Sequence, residues 1–318
     1  PVIGYVGNTV PVELILAAGG LPLRIAPEGG STEIADRYVE TVSDPELRWI
    51  FDAYCRGGLD MLSMLVVPRS TETQHKLYLS LREAQRIGLA SLADGRPPLW
   101  LYDLPHTQRP TSAAYGLERT RALWQALAKA CGTACDEASL HEALVLMNHQ
   151  RAAVARLQAL RDAGSVSGHE ALVAIGAQRF LPPAEGTQRL EDWLAVGGPA
   201  PRPAGPRLLL RGVPAEHDRL HALVEALGAV IVAEDGDWGS REGTACADSP
   251  AGPLAAIAHH HASVVPCVRR YPADDGWFER QLQRADVDAV LFHLPPPDDV
   301  HGWSYPADRA RAEAAGKP

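Results

Sequence analysis

Asn8 and Thr9 are polar residues set between an apolar run and Pro11, a proline placed to open a helix. Ser70, Thr71 and Glu72 sit in the same way after Val66-Val67-Pro68 and ahead of a helical run. Such a hydroxyl-rich helix start caps the first N–H groups and favours anions. A well-capped helix without ligand is the plain alternative. His106, in Leu104-Pro105-His106-Thr107, is placed to act as an acid or a base, or as a structural loop residue. Glu234, Asp235 and Asp237 put three carboxylates beside the indole of Trp238 and the guanidinium of Arg241. A metal there would need ligands from several segments. A surface loop with an internal Asp–Arg pair is the other reading. His259-His260-His261 cannot all face one metal. With the i, i+4 pair His217 and His221 they still lack the cysteines or carboxylates of a zinc site. Cys131 and Cys135 fit neither a redox nor a zinc spacing. There is no dinucleotide fingerprint, phosphate loop or Gly-x-Ser-x-Gly elbow.

These residues need elements to hold them. Short β-rich runs alternate with helical patterns, which predicts βα units and parallel sheets. The first half offers strands at Val2–Val6, Leu21–Ile25, Met61–Val67 and Leu99–Leu101. The run from Met61 to Val67 is nearly all apolar, as for a strand covered on both faces. Between the first two lies a short helix with Leu14, Ile15, Ala17 and Ala18 on its apolar face, ended by Gly19-Gly20. Leu77, Leu81 and Ala84 predict a helix from about Thr73 to Ile87. A helical middle runs from roughly Ser112 to Gln178, with a long amphipathic stretch from Glu137 to Asp162. Pro182-Pro183 and the Pro/Gly run from Gly197 to Pro206 read as linkers. Beyond them, Arg207–Arg211, Ala229–Ala233 and Val287–Leu294 read as strands and Glu216–Leu227 as a helix. The expected fold class is therefore α/β: two Rossmann-like domains with small parallel sheets, joined by a helical middle segment. The expected boundaries are 1–111, 112–196 for the helical segment, 197–206 for the linker, and 207–318. Asn8 and Thr9 then fall where open α/β sheets hold their ligands.

The chain has 318 residues, enough for two domains with their own cores. A net charge of -9 with scattered basic residues argues against nucleic acid or an anionic membrane as partner. No apolar run approaches a bilayer span. The first residues read as a strand rather than a leader. Five cysteines do not make a disulfide framework, so a cytoplasmic location is expected. Both ends read as abrupt, the last as a helix end leading into a strand, so trimming at both termini is expected.

The stretch Gly7-Asn8-Thr9-Val10-Pro11-Val12-Glu13-Leu14 through Gly19-Gly20-Leu21-Pro22 resembles the N-terminal signature of the 2-hydroxyacyl-CoA dehydratase and benzoyl-CoA reductase subunit family. Further segments resemble it in order: Pro68 to Tyr78, Leu104 to Thr107, Asn148 with Arg151, Glu234 to Arg241, and Val287 to Leu294. The resemblance thus spans nearly the whole chain. It implies radical elimination of water from a 2-hydroxyacyl-CoA, through a ketyl on the thioester carbonyl. It also implies two related subunits, an ATP-dependent activator that supplies the electron, and a 4Fe–4S cluster held by three cysteines.

This chain departs from the family at those cysteines. Thr71 stands nearest one expected ligand, Cys267 of Pro266-Cys267 matches the second, and Pro297 stands at the third. Iron–sulfur clusters need thiolates, which threonine and proline cannot supply. The resemblance therefore implies a cluster-free subunit, with the cluster on a homologous partner and an acyl-CoA as substrate. In that reading Thr9, His106 and Glu72 do the chemistry. Asn8, Ser70, Thr71, Asp235, Trp238 and Arg241 bind substrate, and Cys267 is the one cluster ligand retained. Thr9 would hydrogen-bond the substrate, while His106 and Arg241 would position the thioester or the CoA phosphates. Three alternatives remain. One is a cluster-independent acyl-CoA lyase or hydratase using Glu72, His106 or Asp235. Another is a benzoyl-CoA-reductase-like subunit. The third is a non-catalytic acyl-CoA-binding scaffold.

Overall fold

The computed structural model describes residues 1–26, 29–40, 45–89, 97–196, 205–213, 217–236, 238–271, 276–295 and 300–318. The chain begins with β1 (Val2–Tyr5), α1 (Val12–Ala17) and β2 (Leu21–Arg24). Two helices, α2 (Ala35–Tyr38) and α3 (Pro45–Arg56), precede β3 (Met64–Pro68). Then come α4 (Glu72–Arg86), β4 (Leu99–Tyr102), α5 (Pro110–Cys131) and α6 (Glu137–Ala163). The four strands form one parallel sheet in the order β2-β1-β3-β4, with Tyr5 level with Val66. Every residue of β3 is buried, as its unbroken apolar run requires. Its side chains alternate between two cores. Met64 and Val66 face the core built with α1, α5 and the start of α6. Leu65 and Val67 face the core built with α3 and α4.

The chain goes from β1 outward to β2, then returns to lay β3 on the other side of β1. The β1/β3 boundary is therefore the point where strand order reverses, and ligands of open α/β sheets bind outside the strand ends there.

The second sheet follows α7 (Gly168–Ala177) and α8 (Pro183–Ala195). A capping box of Ser167 and Glu170 starts α7. Pro182-Pro183, expected as linker, instead opens α8, because proline costs no hydrogen bond at the first helical position. The sheet contains β5 (Arg207–Gly212) and, after α9 (Arg219–Ala226), β6 (Val230–Glu234). A short 3-10 turn at Ser240–Gly243 precedes α10 (Pro253–Ser263) and α11 (Gly276–Leu282). The last elements are β7 (Ala289–His293) and α12 (His301–Ala314). The strand order is β6-β5-β7, all parallel. The chain after α12 turns at Gly316, with φ +72°, and the Pro318 carbonyl accepts from the Val290 amide at 2.9 Å. The expected linker lies outside the described residues from 197 to 204, as does Glu216, the expected start of α9.

The fold class is α/β with two small parallel sheets, each in its own unit. Unit 1 comprises residues 1–147 and 246–272, and unit 2 comprises 148–245 and 273–318. Among the described residues no helix is long and apolar enough to cross a membrane.

Candidate functional site

In unit 1, the ends of β1 and β3 bring four of the sequence candidates together. After β1 the backbone turns at Gly7, whose φ of +66° favours glycine. Buried Arg24 holds this turn by donating Nη1 to the Gly7 carbonyl at 3.1 Å. Asn8 and Thr9 follow, both buried. After β3, Ser70 is equally buried, and its hydroxyl hydrogen-bonds the Thr9 hydroxyl directly. The Asn8 Nδ2 donates to the Pro266 carbonyl at 3.2 Å. The Cys267 thiol lies 3.6 Å from the Ser70 carbonyl, to which it donates. An amide, two hydroxyls and a thiol thus meet at the strand-order reversal. All four are neutral, and burial pushes the Cys267 thiol pKa up, against the pull of Arg269 and Arg270.

The neighbouring candidates are placed differently. Thr71 is the N-cap of α4, and its Oγ1 accepts from the Gln74 amide at 3.1 Å. That hydroxyl therefore has a structural partner. Glu72 is exposed on the first turn of α4.

His106 follows β4 in the same unit and is 4 % exposed. Its φ is +49°, and among the described residues it alone shows a positive φ without being glycine. Histidine in this region is uncommon and costs backbone energy. The strand-like pairing of Thr107 with Tyr271 holds it there, with the Tyr271 amide donating to the His106 carbonyl at 3.0 Å. Burial pushes the imidazole pKa down to about 4, helped by the nearby positive charges of Arg270 and Arg269. The ring is therefore neutral at pH 7. No hydrogen-bond partner reaches its Nδ1 among the described residues. The ring lines a cavity of about 560 Å³ bounded by α5 and α10.

In unit 2, the loop after β6 carries the remaining candidates. Glu234 is buried and accepts from Arg161 Nη1 at 2.5 Å. Arg161 is 0 % exposed and also donates Nε and Nη2 to the Ile231 carbonyl at 3.1 and 2.7 Å. His221 Nε2 stands 3.7 Å from the other carboxylate oxygen. Burial opposes ionisation of Glu234, yet Arg161 and His221 hold its pKa below the ordinary value. Asp235 lies between two guanidiniums: it accepts from Arg211, and from Arg241 Nη1 at 2.8 Å. Arg211 also donates Nε to Asp308 at 3.0 Å. The Asp235–Arg241 pair expected on a surface loop is thus present but largely buried. Trp238 is buried edge-on against Phe180, with ring centroids 5.9 Å apart. Asp237 lies outside the described residues. Asn148 accepts from Arg151 at 3.1 Å, one helical turn away.

Sequence reasoning missed Arg161 and Arg211. A lone arginine in an amphipathic helix, or one ending a strand, reads as solvent-facing. Only its carboxylate partner shows otherwise. The histidine run divides along α10: His259 is exposed, while His260 and His261 are buried. His261 Nε2 meets the fully buried Glu13 of α1 at 3.2 Å. Among the described residues no group of three or more His, Cys, Asp or Glu is placed to hold a metal ion.

The donor set at the strand ends does not fit a 4Fe–4S cluster. Of the five cysteines, Cys55 and Cys246 are buried in the two cores of unit 1, and Cys131 and Cys135 flank the end of α5. Only Cys267 reaches the candidate site, where it stands among hydroxyls and a backbone carbonyl with its thiol held protonated. Pro297, at the third expected position, lies outside the described residues and has no thiol to offer.

No curated protein matches the chain by sequence. A family model described as 2-hydroxyglutaryl-CoA dehydratase, D-component, matches residues 8–318. The match runs from the Asn8 end of the β1/β3 crevice to the last residue, and the chain belongs to that family.

Proposed function

We propose that this chain is the component of a 2-hydroxyacyl-CoA dehydratase system that binds the thioester but does not itself hold the iron–sulfur cluster. The observation that carries this reading is the neutral group of Asn8, Thr9, Ser70 and Cys267 at the β1/β3 strand ends. Family membership supplies the reaction class, a lyase acting within a complex, and the family is known for a 4Fe–4S cluster and a CoA substrate. Buried hydroxyls suit an uncharged thioester or the 2-hydroxyl of the substrate, since each can both donate and accept. In this reading Thr9 and Ser70 hold the substrate oxygen, and neutral His106 positions the thioester. The cluster resides on a homologous, cysteine-complete partner, and an ATP-dependent activator serves the assembled pair. Thr71 and Glu72 start α4, while Asp235, Trp238 and Arg241 brace the end of β6. We place none of these five on the substrate.

The test is iron and acid-labile sulfide, with an absorption spectrum, on the anaerobically purified chain. It is repeated after co-expression with a cysteine-complete homologue. About four irons per complex, present only with the partner, support the proposal. Four irons on the lone chain refute it and make this an ordinary cluster-bearing subunit. No iron in either sample refutes it in favour of cluster-independent acyl-CoA chemistry.

A further inference from the structure

Thr71-Glu72-Thr73-Gln74 has the spacing of a capping box. In such a box the first hydroxyl takes the amide three residues on, and the side chain of that third residue reaches back. Ser167 and Glu170 close one at the start of α7, with the Ser167 amide donating to Glu170 Oε2 at 3.0 Å. At the start of α4 only half of it forms: Thr71 Oγ1 accepts from the Gln74 amide at 3.1 Å. The Gln74 side chain turns to the ends of β1 and β3 instead. It is 7 % exposed. A Cβ added at Gly7 would stand 2.6 Å from Gln74 Nε2 and 3.5 Å from Pro68 Cγ. The amide nitrogen therefore covers the turn that leads into Asn8 and Thr9. Gln74 Oε1 is enclosed without a partner, and Nε2 makes no hydrogen bond among the described residues. Of the two polar atoms, the nitrogen is the one left open. A buried carboxamide without partners costs stability, and methionine would fill much the same space without that cost. Residues that break local rules in this way concentrate at functional sites.

We propose that Gln74 is a substrate-binding residue whose Nε2 donates to the carbonyl oxygen of a bound thioester. This rests on the thioester-binding reading above. The chemistry of the open atom selects the group it holds. An amide nitrogen only donates, and a carbonyl oxygen only accepts. A substrate hydroxyl needs an acceptor as well as a donor, which the Thr9 and Ser70 hydroxyls supply between them. The group at the strand ends is neutral, so it suits an uncharged carbonyl better than a carboxylate. The box at α4 stays half closed because its side chain is kept for the ligand.

Binding to the full chain, alone and with a cysteine-complete homologue, is measured by calorimetry. The probes are CoA, acetyl-CoA and S-ethyl-CoA, the last a thioether without the carbonyl. Gln74→Met keeps the length and removes the N–H. Gln74→Glu also removes it, and can close the box as Glu170 does. The wild-type chain should prefer acetyl-CoA over S-ethyl-CoA by about tenfold, the usual worth of one hydrogen bond to a ligand. Both variants should lose that preference, together with the hydrogen-bond shift of the thioester carbonyl stretch, while CoA affinity holds. The denaturation midpoint of Gln74→Met should not fall. A retained preference in either natively folded variant overturns the proposal, and a lower midpoint with the preference retained makes Gln74 structural. If the wild-type chain binds the thioester and the thioether equally, the carbonyl contact falls and the thioester-binding reading stands. If no CoA compound binds with or without the partner, both fall.

Discussion

The Thr9 and Ser70 hydroxyls hydrogen-bond each other across the ends of β1 and β3, joining two residues 61 positions apart at the reversal of strand order. Each hydroxyl has further capacity, so the pair can engage an outside oxygen without breaking.

Thr9→Val keeps the shape and removes that hydroxyl, leaving Ser70 buried with one partner fewer. A loss of about 1–2 kcal/mol in stability is expected, the usual cost of a stranded buried polar group. Acyl-CoA affinity should fall about tenfold. Urea unfolding and calorimetry on the same variant measure both. Unchanged acyl-CoA affinity would remove Thr9 from the substrate site.

His106 makes stability depend on pH. Its native pKa is about 4, below the ordinary 6.5, so the unfolded chain takes up a proton that the folded chain refuses. Stability is therefore full above pH ~6.5, declines as pH falls, and levels off below pH ~4. The full decline attributable to His106 is about 3 kcal/mol. His106→Asn, a residue that tolerates positive φ, should flatten the slope between pH 6.5 and 4. Denaturation midpoints across that range decide it.

The Arg161–Glu234 pair is buried on both sides. Arg161→Met leaves a carboxylate stranded in unit 2 and should cost about 3–5 kcal/mol. Adding Glu234→Gln should recover a good part of that loss, because the uncompensated charge is gone. A double-mutant cycle by chemical denaturation gives the coupling.

Arg241→Ala separates bracing from substrate binding. It removes one of the two guanidiniums on Asp235 and leaves Arg211 in place. A stability loss of about 1–2 kcal/mol is expected. Acyl-CoA affinity should stay within about twofold. A tenfold loss of CoA binding with stability intact would return Arg241 to the CoA phosphates.

Cys267→Ser should leave iron content unchanged in the lone chain and in the complex. Alkylation of the Cys267 thiol should be slow at pH 7, since burial keeps it protonated. Mass-resolved labelling of the five thiols, with exposed Cys135 as the fast internal standard, tests this.

Much of this fold is legible in the chain because its signals are local. The run from Met61 to Val67 reads as a doubly covered strand; the strand starts at Met64 and is buried throughout, while Met61 is exposed. The helix expected from Glu137 to Asp162 runs from Glu137 to Ala163. The register of Asn8 and Ser70 against the strand ends follows from those runs. Most of what escaped is non-local or conformational. Pro182-Pro183 reads as a breaker until the helix after it is seen. The helix Pro45–Arg56 does carry a local start signal, Asp44-Pro45-Glu46, that went unread, and Leu47, Ile50, Phe51 and Tyr54 bury it against the sheet. The left-handed backbone of His106 is imposed by Tyr271, 165 positions later in the sequence, and no local pattern announces it. Arg161 looks like any helix-surface cation until Glu234 is placed beside it.

The contact of Asn8 with the Pro266 carbonyl spans 258 positions, and Cys267 reaches back to Ser70 across 197. During synthesis, the strand ends of β1 and β3 leave the ribosome early, but the segment that completes their crevice is translated after most of unit 2. The nascent chain therefore carries an unfinished crevice through most of its elongation. Late closure of a long loop is slow, and a truncation anywhere before residue 266 yields a first sheet without its crevice.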